Sequence, residues 1–281
     1  MSKTLLISLS GGRTSAFMTH AILNGDLREE YSKRYDEIIP VFMNTSCEHQ
    51  ETYRFLQECC RAYGWNPVIL EAVPCEIDRA KNTFQVTTLE ECDKSGALFN
   101  RVAKQYGGFS YLRTCTREMK LRPFDKWRKK HHPDADIAIG IREDEPLRYK
   151  PRDGVVFPLV EDLPSDKTDV LCFWSKQSFD LRIPEYLGNC VFCFCKSNSK
   201  LFAAIKDMRE STLFNAALRH DEIRLAYQEG KRAASFRKYL MFSDLVKMSN
   251  EVQPDTTRDL FADEMSDGCT SSCEFFDMEQ A

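Results

Sequence analysis

The chain has 281 residues, of which 42% are hydrophobic and 29% charged, with a net charge of -4. That length suits one large α/β domain or a domain with a smaller appendage, and the charge gives no overall drive toward nucleic acid, leaving only a local patch to bind it. No apolar run reaches the roughly 18 residues of a membrane span and no leader pattern opens the chain, so the expected address is the cytosol with no membrane partner.

Taken in order, Thr4-Leu5-Leu6-Ile7-Ser8-Leu9 is a short apolar run that predicts a buried strand. It breaks at Ser10-Gly11-Gly12-Arg13-Thr14-Ser15 and resumes at Ala16 with a helical pattern that ends near Asn24-Gly25. A strand, a glycine turn and a helix start bring backbone N–H groups and the positive helix end to one spot, where an anion binds readily. The two glycines let the backbone approach a phosphate, while Ser10, Thr14 and Ser15 offer hydroxyls and Arg13 a charge; the alternative is an ordinary strand–helix turn. Glu37 to Met43 predicts a second strand, capped by Asn44-Thr45-Ser46, and Glu48 to Tyr63 a helix stopped by Gly64. Val68-Ile69-Leu70 is a third strand. This rhythm predicts an α/β fold, a parallel sheet with helices on both faces, whose ligands lie beyond the carboxyl ends of the strands. Ser10 to Ser15 and Asn44 to Glu51 then share one crevice.

Residues 74–110 have weak periodicity and predict a long loop over that crevice, with Gly107-Gly108 as a hinge. The stretch from Arg113 to Lys130 is basic, which suits a solvated helix face or contact with a phosphate-rich substrate or RNA. Ala135 to Ile141 predicts a fourth strand. Arg142, Asp144 and Glu145 follow at its carboxyl end, placed either to handle phosphate and metal or to neutralise one another. Val155 to Val160 reads as an edge strand, and a helix from about Ser165 to Gln177 closes a first domain at residues 1–180.

The second domain, residues 181–281, is expected to be mainly α-helical and cysteine-rich, with helices over 199–230 and 233–248. Twelve cysteines in a cytosolic chain point to buried thiols or metal and cluster ligands rather than disulfides. Cys190-Val191-Phe192-Cys193 is a Cys-x-x-Cys knuckle interleaved with aromatics. It needs about two more ligands, for which Cys115, Cys269 and Cys273 are candidates; Cys115 stands among basic residues that favour thiolate. Cys195 is left out because one residue between thiols strains a chelate. Cys47, Cys59, Cys60, Cys75, Cys92 and Cys172 read as packing residues. An iron–sulfur cluster, structural zinc and unligated or redox-active thiols all remain open.

Four of these motifs, the cysteines being the last, carry a resemblance over roughly residues 1–200 and the tail cysteines. Ser10-Gly11-Gly12-Arg13-Thr14-Ser15 resembles the Ser-Gly-Gly-x-x-Ser loop of the PP-loop ATP pyrophosphatases. Asn44-Thr45-Ser46-Cys47-Glu48 with Glu51-Thr52 is similar to the Asn-Thr-Gly…Glu-Thr stretch of the phosphoadenylyl-sulfate (PAPS) reductases. Gly140-Ile141-Arg142-Glu143-Asp144-Glu145 is similar to a Gly-x-Arg-x-Asp-Glu segment of that family, many of whose members are phage-encoded. The resemblance implies that Ser10, Gly11, Gly12, Arg13, Thr14 and Ser15 hold phosphates, that Asn44, Thr45 and Glu48 lie near adenosine, and that Arg142, Asp144 and Glu145 act at the reacting phosphate with Mg2+. It also implies a [4Fe-4S] cluster on Cys115, Cys190, Cys193 and Cys273, with zinc at the same thiols as the alternative.

The chain departs from the family in having Arg13-Thr14 where many members carry Lys-Asp. It also has Ser271-Ser272-Cys273-Glu274-Phe275 in place of the reductases' Glu-Cys-Gly-Leu-His. The implied activity is therefore ATP-dependent adenylation of a substrate with sulfur transfer, in preference to reduction of a sulfonucleotide to sulfite. The rival from another class is a non-catalytic zinc and nucleic-acid-binding module with an inert loop. The implied partners are an adenine nucleotide, a sulfur or electron donor protein, a nucleic-acid substrate and a second copy of the chain.

Overall fold

The computed structural model describes residues 3–108, 114–227, 236–237 and 240–251. Its centre is β1 (Thr4–Leu9), with no residue more than slightly exposed. Such a strand must be covered on both faces. Leu5 and Ile7 face α1 (Arg13–Leu23) and α2 (Arg28–Arg34), while Leu6 faces the opposite side. The chain then forms β2 (Glu37–Asn44), α3 (Gln50–Tyr63) and β3 (Val68–Val73), each strand parallel to its predecessor. Gly64, at φ 71°, ends α3 in the left-handed conformation that glycine adopts without strain.

Over residues 74–108 the expected long loop carries secondary structure. It contains β4 (Thr83–Thr87), which pairs antiparallel with β3, and α4 (Ala97–Lys104). β4 escapes the sequence pattern because it is an edge strand, exposed enough that Val86 retains 56% of its surface. At Gly107 and Gly108, φ 69° and 96° let the backbone pass where a Cβ would lie 2.3 Å from Tyr227 and 2.6 Å from Arg224. Thr116–Leu121 forms a π-helical turn, leading into α5 (Arg122–His131), whose Phe124 and Trp127 cover the second face of the sheet.

β5 (Asp136–Ala138) returns beside β1 on the side opposite β2, and β6 (Val155–Val156) follows at the edge. The predicted strand over 155–160 stops at Val156, because Pro158 opens a short helix, α6 (Pro158–Glu161). The strand order β4-β3-β2-β1-β5-β6 reverses direction at β1, the topology that leaves a crevice at the strand carboxyl ends. α7 (Lys167–Ser175) has a reciprocal cap between Asp166 and Asp169, and packs Val170 and Trp174 against Phe55.

The helical pattern over 199–230 is two helices, α8 (Asn198–Met208) and α9 (Thr212–Ala226), because Ser211 caps the second by accepting from Phe214 N. α10 (Phe242–Glu251) completes a cluster in which Phe194, Phe202, Phe214, Phe236 and Phe242 are buried. Among the described residues no helix is long and apolar enough to cross a membrane. Cys269 and Cys273 lie outside the described residues.

Candidate functional site

The loop after β1 is built around two unlike glycines. Gly11 has φ 79°, and a Cβ there would stand 2.6 Å from Thr52 Cγ2 of α3. Only glycine fits. At Gly12, the N-cap of α1, the nearest atom to a Cβ is Ser10 Oγ at 3.7 Å, and no side chain caps the helix. The first turn of α1 carries no acidic residue. The Ser15 hydroxyl is buried and used internally: it accepts from Ser10 N at 3.0 Å, donates to Gly12 O at 3.1 Å and meets Ser10 Oγ at 2.9 Å. Ser15 thus shapes the loop while Ser10, Gly11, Gly12, Arg13 and Thr14 line an open pocket of about 230 Å³.

The opposite wall of that pocket comes from residues 181–200, including Asn189, Lys196 and Lys200, which sequence reasoning did not single out for it. Arg13 explains how the two walls are held. Its guanidinium makes a two-pronged pair with Asp180 at 2.7 and 2.9 Å and donates to Leu181 O. Lys196 is almost fully buried, donating to Tyr186 O and to Val191 O at 2.9 Å, so an ammonium lies directly under the cysteine knuckle. The signal that could have found it is its position immediately after Cys195.

Asn44, Thr45 and Glu48 do not line the pocket. They form a buried network beneath it, in which Asn44 Nδ2 donates to Glu71 Oε1 at 2.6 Å and to Asp93 O at 2.7 Å. Glu48 accepts from Thr45 Oγ1 at 2.6 Å, from Tyr53 OH at 3.1 Å and from Cys47 N at 3.2 Å. Burial of Tyr53 beside this carboxylate pushes its hydroxyl far above the ordinary range, so it stays a donor. Thr45 Oγ1 also lies 3.4 Å from Cys190 Sγ, which connects the network to the cysteines.

Arg142 reaches back from the end of β5 to within 3.4 Å of Thr14 Oγ1. Gly140 makes this approach feasible, since a Cβ there would already stand 3.3 Å from Ser15 Cα. The same guanidinium pairs with Asp144 at 2.7 and 3.2 Å, and holds that carboxyl below its usual range. Glu145 pairs with Arg148 and accepts from Arg142 N at 3.2 Å. Both carboxylates are thus paired with arginines beside the loop after β1.

The cysteines converge on a second, smaller cavity of about 60 Å³ with an apolar wall. Cys115, Cys190 and Cys193 line it, as the sequence predicts, and so do Cys47 and Cys195, which the sequence reading set aside. Cys47 was missed because it belongs to a different motif, 143 positions from Cys190; only the pairing of the two loops unites them (190 − 47 = 143). Val191 N donates to Cys47 O at 2.9 Å, and Glu48 and Cys190 form a β-bridge. Burial pushes the Cys47 thiol well up, and Cys190, Glu48 and Cys115 add to the shift. Cys59 and Cys92 are core residues as expected, but Cys172 is exposed. Among the described residues no three acidic, histidine or cysteine side chains are grouped closely enough to hold a single metal ion.

No family model matches the chain. Over 287 residues the chain is 32% identical to the uncharacterized nin region protein ORF290 of Escherichia phage lambda, spanning 96% of this chain and 94% of that relative.

Proposed function

We propose that this chain, which belongs to the family of the phage lambda nin region protein ORF290, is a PP-loop enzyme of the PAPS-reductase type. It binds ATP, adenylates a substrate with release of pyrophosphate, and passes the activated group on to sulfur transfer. The observation that carries this reading is the pocket at the carboxyl end of β1, where Ser10 to Thr14 face residues 181–200 across about 230 Å³, with Lys200, paired with Glu185 at 2.9 Å, on the far wall. Backbone N–H groups at an uncapped helix start, joined by ammonium and guanidinium groups, are what a polyphosphate needs.

In this reading the loop holds the phosphates, Lys200 and Arg142 stabilise charge that develops at the α-phosphate, and Arg13 keeps the two pocket walls together. Asp144 and Glu145 are the oxygen ligands that would hold Mg2+ brought by the nucleotide. Cys115, Cys190 and Cys193, with Cys273 from outside the described residues as the sequence reading has it, would hold an iron–sulfur cluster. When bound, such a cluster supplies a thiophilic coordination site for sulfur or a redox centre.

The test is ATP affinity and pyrophosphate release in wild type and Gly12→Val. The backbone at Gly12 (φ -91°, ψ 163°) accepts valine, and its side chain would occupy the pocket and not the core. At least a tenfold loss of affinity is expected, corresponding to about 1.4 kcal/mol. Unchanged affinity in a folded variant sinks the loop assignment. Sulfite release from PAPS without pyrophosphate release from ATP would shift the reading to sulfonucleotide reduction.

A further inference from the structure

We propose that the fourth thiolate of the cysteine site is Cys47, from the loop after β2, so that Cys47, Cys115, Cys190 and Cys193 hold one iron–sulfur cluster across the apolar cavity and Cys273 is not needed. The inference rests on the cluster reading above and changes which residues carry it.

Three observations point to Cys47. It lines the same cavity as Cys115, Cys190 and Cys193, and its loop is tied to the knuckle by the Val191 N to Cys47 O hydrogen bond of 2.9 Å and by the Glu48–Cys190 bridge. The two thiols are therefore fixed relative to each other by backbone, which a ligand pair requires. Next, among the described residues the non-glycine positions with positive φ are Ser46 at 63° and Asn189 at 55°, each directly before a cysteine on this cavity. Left-handed turns at both positions aim the following cysteines into the same cavity. Finally, Thr45 Oγ1, two residues before Cys47, lies 3.4 Å from Cys190 Sγ, so the loop after β2 reaches the knuckle sulfur itself.

Four thiolates on a cluster leave it anionic, and the Lys196 ammonium is buried behind the knuckle; Arg224 also lines the cavity, but its charge is already paired with Asp221 at 2.7 Å. On ligation each cysteine loses its proton to solvent and donates a sulfur lone pair to iron; no electrons change hands in that step. Cys195 lines the cavity too, but it lies one residue from Cys193, a spacing that strains a chelate, which makes it the internal control.

The experiment uses full-length protein purified without oxygen, with iron and acid-labile sulfide measured per chain and the reduced protein examined by electron spin resonance. Wild type should contain about four irons and four sulfides. Cys47→Ala should lose at least half of the iron, and Cys47→Ser should retain a cluster with an altered resonance or less iron, while Cys195→Ser and Cys273→Ser match wild type. Circular dichroism and thermal melting verify that each variant is folded. Wild-type iron and an unchanged signal in the Cys47 variants overturn the assignment while leaving the cluster intact, as does loss of iron in Cys273→Ser. Wild type without iron overturns the cluster reading itself, an outcome distinct from the other two.

Discussion

His20 occupies the last turn of α1, with the rings of Tyr63 and Phe173 each 4.7 Å away. Burial lowers its pKa from 6.5, with Asp26 opposing the shift. The unfolded chain therefore takes up the proton more readily than the folded one, and the sign follows directly. Above about pH 6.5 His20 costs nothing, and stability falls as pH drops through the window between 6.5 and the lower folded value. His20→Phe should flatten that decline, measured as urea midpoints at pH 7 and pH 5; a variant that loses stability in parallel with wild type would show that other groups are responsible. Asp221 represents the opposite case, a buried group whose removal leaves a charge behind. It pairs with buried Arg224 at 2.7 Å and accepts from Phe242 N and Ser243 N at 3.0 and 2.7 Å. Burial lowers the Arg224 pKa to about 10, yet the guanidinium still carries its charge at neutral pH. Asp221→Ala should cost about 3–5 kcal/mol by equilibrium unfolding, since a broken buried pair is far more costly than an absent one.

Elements differ in how much of their geometry local sequence can dictate. The start of α1 is an instructive pair of neighbours. Gly11→Ala must accommodate both a positive φ and a 2.6 Å approach to Thr52 Cγ2, and should destabilise the fold by about 2 kcal/mol. Gly12→Ala meets nothing closer than 3.7 Å and should change stability by less than about 0.5 kcal/mol, while still weakening ATP binding. Urea denaturation of the two variants separates the glycine that folding needs from the one that the ligand needs. The π-helical turn at Thr116–Leu121 is a second such element. It follows Cys115 directly and buries Glu118, which is held by Arg117 and Arg122 at 2.7 Å each. The basic character of 113–130 is thus partly consumed inside the protein: two of its arginines neutralise a carboxylate that the sequence gives no reason to place in the core.

At the scale of the molecule, the pair between Arg13 and Asp180 ties the loop after β1 to the segment that ends in the cysteine knuckle. Both side chains are about a third exposed, so the pair itself contributes less than about 1 kcal/mol. Its role is to set the width of the pocket. Asp180→Ala should consequently leave the melting temperature almost unchanged, yet weaken ATP binding several-fold by titration calorimetry and speed hydrogen exchange over residues 181–200. A variant with wild-type affinity would mean that the two walls find each other without this link.

The strand–loop–helix start, the parallel sheet with helices on both faces and the Cys-x-x-Cys knuckle were legible because each depends on short-range pattern: a buried run, a glycine break, a 3.6-residue period, a fixed spacing. β4 was not, because an exposed edge strand has no apolar signature, and neither were the contacts of Gly107 and Gly108, which are packing facts. The site divides in the same way. Ser10 to Thr14 could be named from sequence, but Lys196, Lys200 and Cys47 reach it only through chain reversals that bring residues 181–200 against the loops after β1 and β2. Sequence alone named the Ser10–Ser15 loop and the Cys190–Cys193 pair as candidates. The tertiary structure decided which of them meet, because long-range backbone pairing, such as Val191 N to Cys47 O, leaves no periodicity for a sequence to display.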